Sequence, residues 1–346
     1  MKIFYGVQGT GNGHITRARA IAPKLREAGA EVTWLFTGRP RWDFFEMEVF
    51  GDYEWRNGLT FQTRHGHVSY WRTALRNNML QFIRDVVSLD LSGYDRVVTD
   101  FEPVTAWAAR RQGIPAVGIG HQYAFGLDIP VAGADFMGTQ LLKYFAPASV
   151  DLGIHWHHFD GPILPPMIET GSSDQPVNQR KIIVYLPFED IEAILALLKP
   201  FTHHEFHVYH PGAHTWVHNP ANHILVKGLS RHAFQVDFAD CGGVLCNAGF
   251  ELPSEALHQG KKLLVKPLHG QMEQCSNALA LEKLNLGEVM NELDAATVAV
   301  WLAKSHSPTL RFPDVAGAVT EWLMQGDLTI EPSWIQGVWN RCERIY

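Results

Sequence analysis

The chain has 346 residues, 46% of them apolar and 19% charged, with a formal net charge of −7. That length exceeds one ordinary core and fits two domains, and the composition is that of a folded globular chain rather than a disordered one. No apolar run is long enough to span a bilayer. Residues 161–346 hold the whole acidic excess (13 Lys/Arg against 20 Asp/Glu) while residues 1–160 balance at 16 and 16, which argues against nucleic acid as a partner.

The first residues, Met1-Lys2-Ile3-Phe4-Tyr5-Gly6, read as a strand start and not as a signal peptide. Cys241, Cys246, Cys275 and Cys342 form no Cys-x-x-Cys pair, so free thiols in a reducing cytoplasm are expected. KIFYGV (2–7) is a short buried-strand run. A Gly-rich stretch, GVQGTGNGHITRARA (6–20), follows it. Ala18, Ile21, Ala22 and Leu25 then recur at helical spacing, with Pro23 predicting a kink or an early end and Gly29 a stop. EVTWLFT (31–37) is the next strand.

The Gly-rich stretch fails as a dinucleotide fingerprint. Gly-x-Gly-x-x-Gly from Gly9 needs glycine at His14, and from Gly11 it needs glycine at Thr16. Thr37-Gly38 supply no acid for a ribose, and Gly-Lys-Ser/Thr is absent. What remains is a turn of Gly11, Asn12 and Gly13 that delivers His14 to the start of a helix, beside a phosphate or an acceptor.

Residues 56–84 contain five arginines and no acid, interleaved with Phe61, Tyr70, Trp71 and Phe82. This suits an anionic acceptor or a peripheral contact with the inner face of a membrane, against the plainer alternative that the aromatics are core. YDRVVTDFEP (94–103) and IPAVGIG (114–120) read as strands with VTAWAARRQG as the helix between them. HWHH (155–158) and HHEFHVYH (203–210) have histidine density without a metal-ligand spacing, so no metal site is expected. GPILPPMIETGSSDQPVNQ (161–179) is the natural linker. Beyond it the rhythm restarts. Strands are predicted at 181–187, 205–210, 222–228, 242–249 and 261–267, and helices at 191–199, 252–260 and 271–285. Two doubly wound α/β domains, 1–160 and 161–330, are predicted, with ligands in the cleft at the carboxyl ends of their strands.

The densest signal spans 242–277. Asn247, Ala248 and Gly249 close a strand, Phe250 and Glu251 follow, Pro253 suits the first position of a helix, and Glu255 falls in that helix's first turn. A helix start behind such a loop binds phosphate, and the carboxylate can accept from ribose hydroxyls. Gln271, Glu273 and Gln274, after the next strand, have groups for sugar hydroxyls.

This run resembles the nucleotide-sugar signature of GT-B glycosyltransferases, the plant-type UDP-sugar transferases and the lipid II-forming GlcNAc transferase. In the plant-type motif, His-Cys-Gly-Trp is followed by Glu eight residues after the His. Asn247 to Phe250 and Glu255 keep that spacing, and Gly260 and Pro267 match later positions, while Asn247 departs from the motif's His. The resemblance implies a GT-B fold of two Rossmann-like domains. It implies a nucleotide-sugar donor, UDP-linked by expectation, in the second domain and a carbohydrate or lipid-linked acceptor in the first. No cofactor and no metal are implied. A terminal segment, 331–346, is implied to be a helix crossing back onto the first domain, through Trp334, Val338 and Ile345. His14 would be the general base, oriented by Asp100, with Glu102 a rival base and His121 a second candidate at the cleft edge. Histidine suits proton removal near neutral pH, and a carboxylate on its other nitrogen sets the tautomer. A nucleotide-sugar 2-epimerase of the same fold and a non-catalytic nucleotide-sugar-binding protein are the alternatives.

Overall fold

The computed structural model describes residues 1–60, 63–64, 67–68, 78–133, 136–169, 176–215, 220–304 and 308–345. Phe61, Tyr70 and Trp71 of the basic–aromatic stretch lie outside them. The first sheet has seven strands: β1 (Lys2–Gln8), β2 (Glu31–Thr37), β3 (Glu54–Trp55), β4 (Arg96–Asp100), β5 (Ala116–Gly120), β6 (Val150–Ile154) and β7 (Ile163–Leu164). All pair in parallel, in the order β3-β2-β1-β4-β5-β6-β7. The second has β8 (Asn178–Tyr185), β9 (Glu205–Tyr209), β10 (Ile224–Lys227), β11 (Cys241–Asn247), β12 (Lys262–Lys266) and β13 (Glu288–Val289), in the order β10-β9-β8-β11-β12-β13. The central strands are buried, β1 from Ile3 to Gln8 and β11 along its whole length, because both faces of a parallel sheet are covered by helices.

In the first half those helices are α1 (Asn12–Glu27), α2 (Met79–Ser88), α3 (Pro103–Gln112), α4 (His121–Ala124) and α5 (Phe136–Tyr144). In the second they are α6 (Ile191–Leu198), α7 (Arg231–Asp240), α8 (Glu251–His258), α9 (Met272–Lys283) and α10 (Ala295–Ala303), while α11 (Val315–Met324) packs on α1 and α12 (Pro332–Trp339) on β7 of the first half.

Three expectations need correction. Helix α1 runs through Pro23 without ending, because Ile21, Ala22 and Leu25 are buried on either side of it and that packing outweighs one lost backbone bond. Ile163 and Leu164, inside the expected linker, pair with β6 as the last strand of the first sheet, so that sheet extends past residue 160. The terminal segment is helical only over Pro332–Trp339. Trp339 donates its indole N–H to the Ile163 carbonyl at 2.7 Å, Val338 is fully buried and Trp334 stacks on Trp322. The chain then forms β15 (Glu343–Ile345), antiparallel to β14 (Thr309–Arg311), and Ile345 is exposed rather than docked.

Candidate active site

In each sheet the strand order reverses direction at one place, between β1 and β4 and between β8 and β11. Ligands of doubly wound sheets bind outside the carboxyl ends of the strands at such points. A cleft of about 1070 Å³ lies there, lined from the first half by the loop after β1, by Arg39 and by Gln122, and from the second by Asn247, Glu255 and Gln271.

The loop after β1 contains one glycine that space requires. A Cβ on Gly9 would lie 2.5 Å from the Thr37 carbonyl oxygen and 2.7 Å from the Phe44 ring. Gly11 and Gly249, by contrast, face open space, so each leaves backbone bare to a ligand. Asn12 begins α1 and accepts from Arg39 at 3.0 Å, and Gly13 lies against the Glu251 side chain.

His14 is the third residue of α1. Its Nδ1 lies 2.7 Å from Asp100 Oδ1, at the end of β4. Because a carboxylate only accepts, the ring proton is assigned to Nδ1, although the Arg17 Nη2 donor lies 2.9 Å from the same nitrogen, and Nε2 is then the acceptor nitrogen of a ring that lines the cleft. Asp100 is fully buried. Burial pushes its carboxyl up, but the Arg17 guanidinium and His14 outweigh that and hold it below the usual carboxylate range. Arg17 contacts both Asp100 oxygens, Nε at 2.8 Å and Nη2 at 2.6 Å, and its Nη1 pairs with Glu251. Sequence reasoning passed over Arg17. Its signal was the i, i+3 spacing from His14, which puts both on one helix face.

Glu102 is not placed to be a base. It is fully buried and caps α3, accepting from the Val104 and Thr105 N–H groups at 2.8 and 2.7 Å and from the Thr37 hydroxyl at 2.9 Å. A carboxylate saturated by a helix start and a hydroxyl cannot reach a substrate. His121 is likewise engaged. Its Nδ1 meets the Ile154 carbonyl at 2.9 Å and its Nε2 meets Asn277 Oδ1 at 2.7 Å, while its ring stacks on Phe250 at 4.0 Å. Burial pushes it below the ordinary histidine value despite the nearby charge of Glu273.

In the second half, α8 starts at Glu251, so Pro253 is its third residue rather than its first. Among the described residues no side chain caps its N-terminus, and Phe250, Glu251 and Leu252 line the cleft. The N–H groups of such a start are donors for an anion. Glu255 lines the cleft half-buried, and burial, then the charges of Glu169 and Glu251, raise its carboxyl to about 8. Ala248 is not at the surface of the site. It is fully buried, with its N–H on the Lys266 carbonyl and its own carbonyl on Asn277. The Gln274 oxygen is taken by the Leu268 N–H at 3.1 Å, and Glu273 accepts from Gln122 at 3.2 Å. Among the described residues, the buried amide oxygens of Gln122, Asn247 and Gln271 lack a protein partner. The first two have their orientation set by their own N–H groups, which meet Glu273 for Gln122 and the Lys266 carbonyl for Asn247.

The histidine-rich stretches serve local structure. His155 is buried, His157 and His158 accept from the Phe159 and Asp160 N–H groups, and His207 sits between Asp237 and Glu205. Among the described residues no three His, Cys, Asp or Glu side chains converge as a metal site, and no helix is long and apolar enough to cross a membrane.

The sequence profile of glycosyl transferase family 1 matches residues 1–127 and 158–305. No curated protein matches by sequence. Among solved structures the fold is similar to the spinosyn rhamnosyltransferase SpnG, at TM-score 0.60 and 12% identity, covering 98% of this chain and 97% of that one. The same enzyme complexed with thymidine diphosphate gives 0.61 and 11%, covering 97% and 96%. The calicheamicin glycosyltransferase CalG4 (0.55, 18%) and Acinetobacter baumannii MurG (0.51, 15%) each cover 98% of both chains. The two parallel sheets are those of GT-B glycosyltransferases. The chain belongs to glycosyl transferase family 1.

Proposed function

We propose that this member of glycosyl transferase family 1 moves a sugar from a nucleotide-sugar, UDP-linked by first expectation, to a hydroxyl of a carbohydrate or lipid-linked acceptor. The observation that carries this reading is the His14–Asp100 pair at 2.7 Å, set in the same cleft as the uncapped start of α8. As the acceptor oxygen bonds to the anomeric carbon, its proton passes to His14 Nε2 and the bond from that carbon to the diphosphate oxygen breaks. The electron pair leaves with the nucleoside diphosphate, which the N–H groups at the start of α8 stabilise with no metal or cofactor assigned a part. Thymidine diphosphate in the SpnG complex supports a nucleoside diphosphate as the donor's carrier.

The three unpartnered amide oxygens fit this substrate class. A buried acceptor left unmade costs about 1–3 kcal/mol, and sugar hydroxyls are donors that would satisfy it. Glu255, raised to about 8, is mostly protonated at neutral pH and can both donate to and accept from ribose hydroxyls. The epimerase and the non-catalytic reading gain no support from the family.

A second observation concerns the acceptor. Helix α2 exposes Met79, Leu80, Ile83 and Val87, with Leu80 70% exposed, and its first six residues are the end of the acid-free, arginine-bearing run. We assign this face to an anionic membrane surface, as a lipid-linked acceptor requires.

The test has two parts. A thermal-shift panel of nucleotide-sugars identifies the donor, since a ligand of the folded state raises apparent stability. His14→Ala should then abolish transfer with donor binding near normal, and unchanged turnover would overturn the assignment of His14.

A further inference from the structure

Arg17 takes no part in the chemistry above, yet it is a charge 2% exposed in the wall of the cleft. Its guanidinium holds both oxygens of Asp100, lies 2.9 Å from His14 Nδ1, and pairs through Nη1 with Glu251, which is 234 residues away on α8. Three ionised groups and one histidine thus form a single cluster with members on both sides of the cleft.

We propose that Arg17 is a positioning residue that couples the donor-binding helix to the base. Glu251, presented by α8, offsets the guanidinium charge beside His14 and so makes Nε2 a better proton acceptor. This rests on the reading of His14 as the base.

The charge balance carries the argument. With Asp100 and Glu251 ionised and Arg17 protonated, the cluster is one charge negative while His14 is neutral. It becomes neutral when His14 takes the acceptor's proton. Without Glu251 the resting cluster is neutral, and the same proton creates a net positive charge in a buried site, which low polarity penalises. The other ionisable groups nearby do not replace Glu251. Tyr5, on β1, is held neutral because burial, and then Asp100, push its phenol well above the ordinary range. His121, on α4, has both ring nitrogens engaged, and Glu273, on α9, is met by Gln122. Since Glu251 is also the first residue of α8, donor binding and base strength depend on the placement of one helix. The Arg17–Glu251 pair is accompanied by other contacts of the same kind: His121 with Asn277, Gln122 with Glu273, and the Ala132 N–H with Ser276 at 3.0 Å.

The test reads the ring directly and needs no identified substrate. Nitrogen-15 NMR titration follows the histidine rings of the full chain, and the His14 signal is identified by its loss in His14→Ala. Glu251→Gln should lower the His14 titration midpoint by about one pH unit, the size of effect a single close charge produces. Arg17→Met should raise it. Opposite signs from the two variants are the mark of charge coupling, because a merely loosened site would shift both the same way. If Arg17→Met does not fold, Glu251→Gln decides alone. A midpoint that stays in place or rises in Glu251→Gln overturns the proposal. Retained turnover in His14→Ala would instead overturn the base assignment, so the two failures are distinguishable.

Discussion

Asp100→Asn keeps the side chain's shape and removes its charge. In the native protein one oxygen meets His14 Nδ1 at 2.7 Å and Arg17 Nη2 at 2.6 Å, and the other meets Arg17 Nε at 2.8 Å. All three partners donate, so an amide must turn its own N–H2 either against Arg17 Nε or against both His14 Nδ1 and Arg17 Nη2. Facing Arg17 Nε, it loses that bond and leaves His14 on a neutral oxygen that no longer balances the imidazolium charge. Facing His14, it forces the ring proton from Nδ1 to Nε2 and leaves no basic nitrogen on the cleft. Breaking a buried ion pair costs about 3–5 kcal/mol. Arg17 keeps Glu251 and the amide oxygen keeps one or two bonds depending on its orientation, so the expected loss of stability is about 2–3 kcal/mol, measurable by urea unfolding. A positioned base contributes about 10²–10⁴ to rate. Turnover should therefore fall by about that factor with the donor KM little changed. The assay is release of nucleoside diphosphate at saturating donor, with the folded fraction followed by circular dichroism at the same temperature. A folded Asp100→Asn protein turning over within about threefold of the native enzyme would refute the assignment.

Glu255 has its carboxyl raised in the folded state, from 4.5 to about 8. Its contribution to stability is full below the ordinary value and is lost as pH rises through about 8. Glu255→Gln should flatten that dependence and stabilise the ligand-free protein by about 2 kcal/mol at pH 8.5, allowing for the partial exposure of the side chain. Parallel thermal melts at pH 5 and 8.5 check this, and equal slopes in both proteins would count against it. The double variant Leu80→Asp/Ile83→Asp should lose sedimentation with anionic lipid vesicles at low salt while donor binding is retained. Co-sedimentation equal to the native protein would remove α2 from the membrane contact. Transfer should survive a chelator, since the leaving diphosphate is assigned to the N–H groups of α8; a loss restored by a divalent cation would reassign that role.

Much of the scaffold was legible from short-range pattern. EVTWLFT is a strand over the predicted residues because its apolar run ends at Gly38, whose φ of 91° the strand cannot continue. Pro103 was a readable sign that Glu102 caps a helix, since proline favours the first helical turn and the residue before it then faces free N–H groups. Reading Glu102 as a base ignored that local chemistry. Pro23 misled in the opposite direction, because the cost of one missing bond is visible in sequence while the burial that offsets it is not.

By itself the sequence determined the alternation of strand and helix, its restart in the second half, and two short loops bearing His14 and Asn247, because these rest on periodicity and turn chemistry within a few residues. Tertiary structure alone decided how those loops are used. It turned Glu251 toward Arg17, gave His121 to Asn277, closed Ala248 into the core and left the oxygens of Gln122, Asn247 and Gln271 without partners among the described residues. The partners in the Arg17 and His121 pairs are separated by more than 150 residues. No local pattern encodes such a meeting, since it depends on how two separately formed sheets present their carboxyl ends to each other.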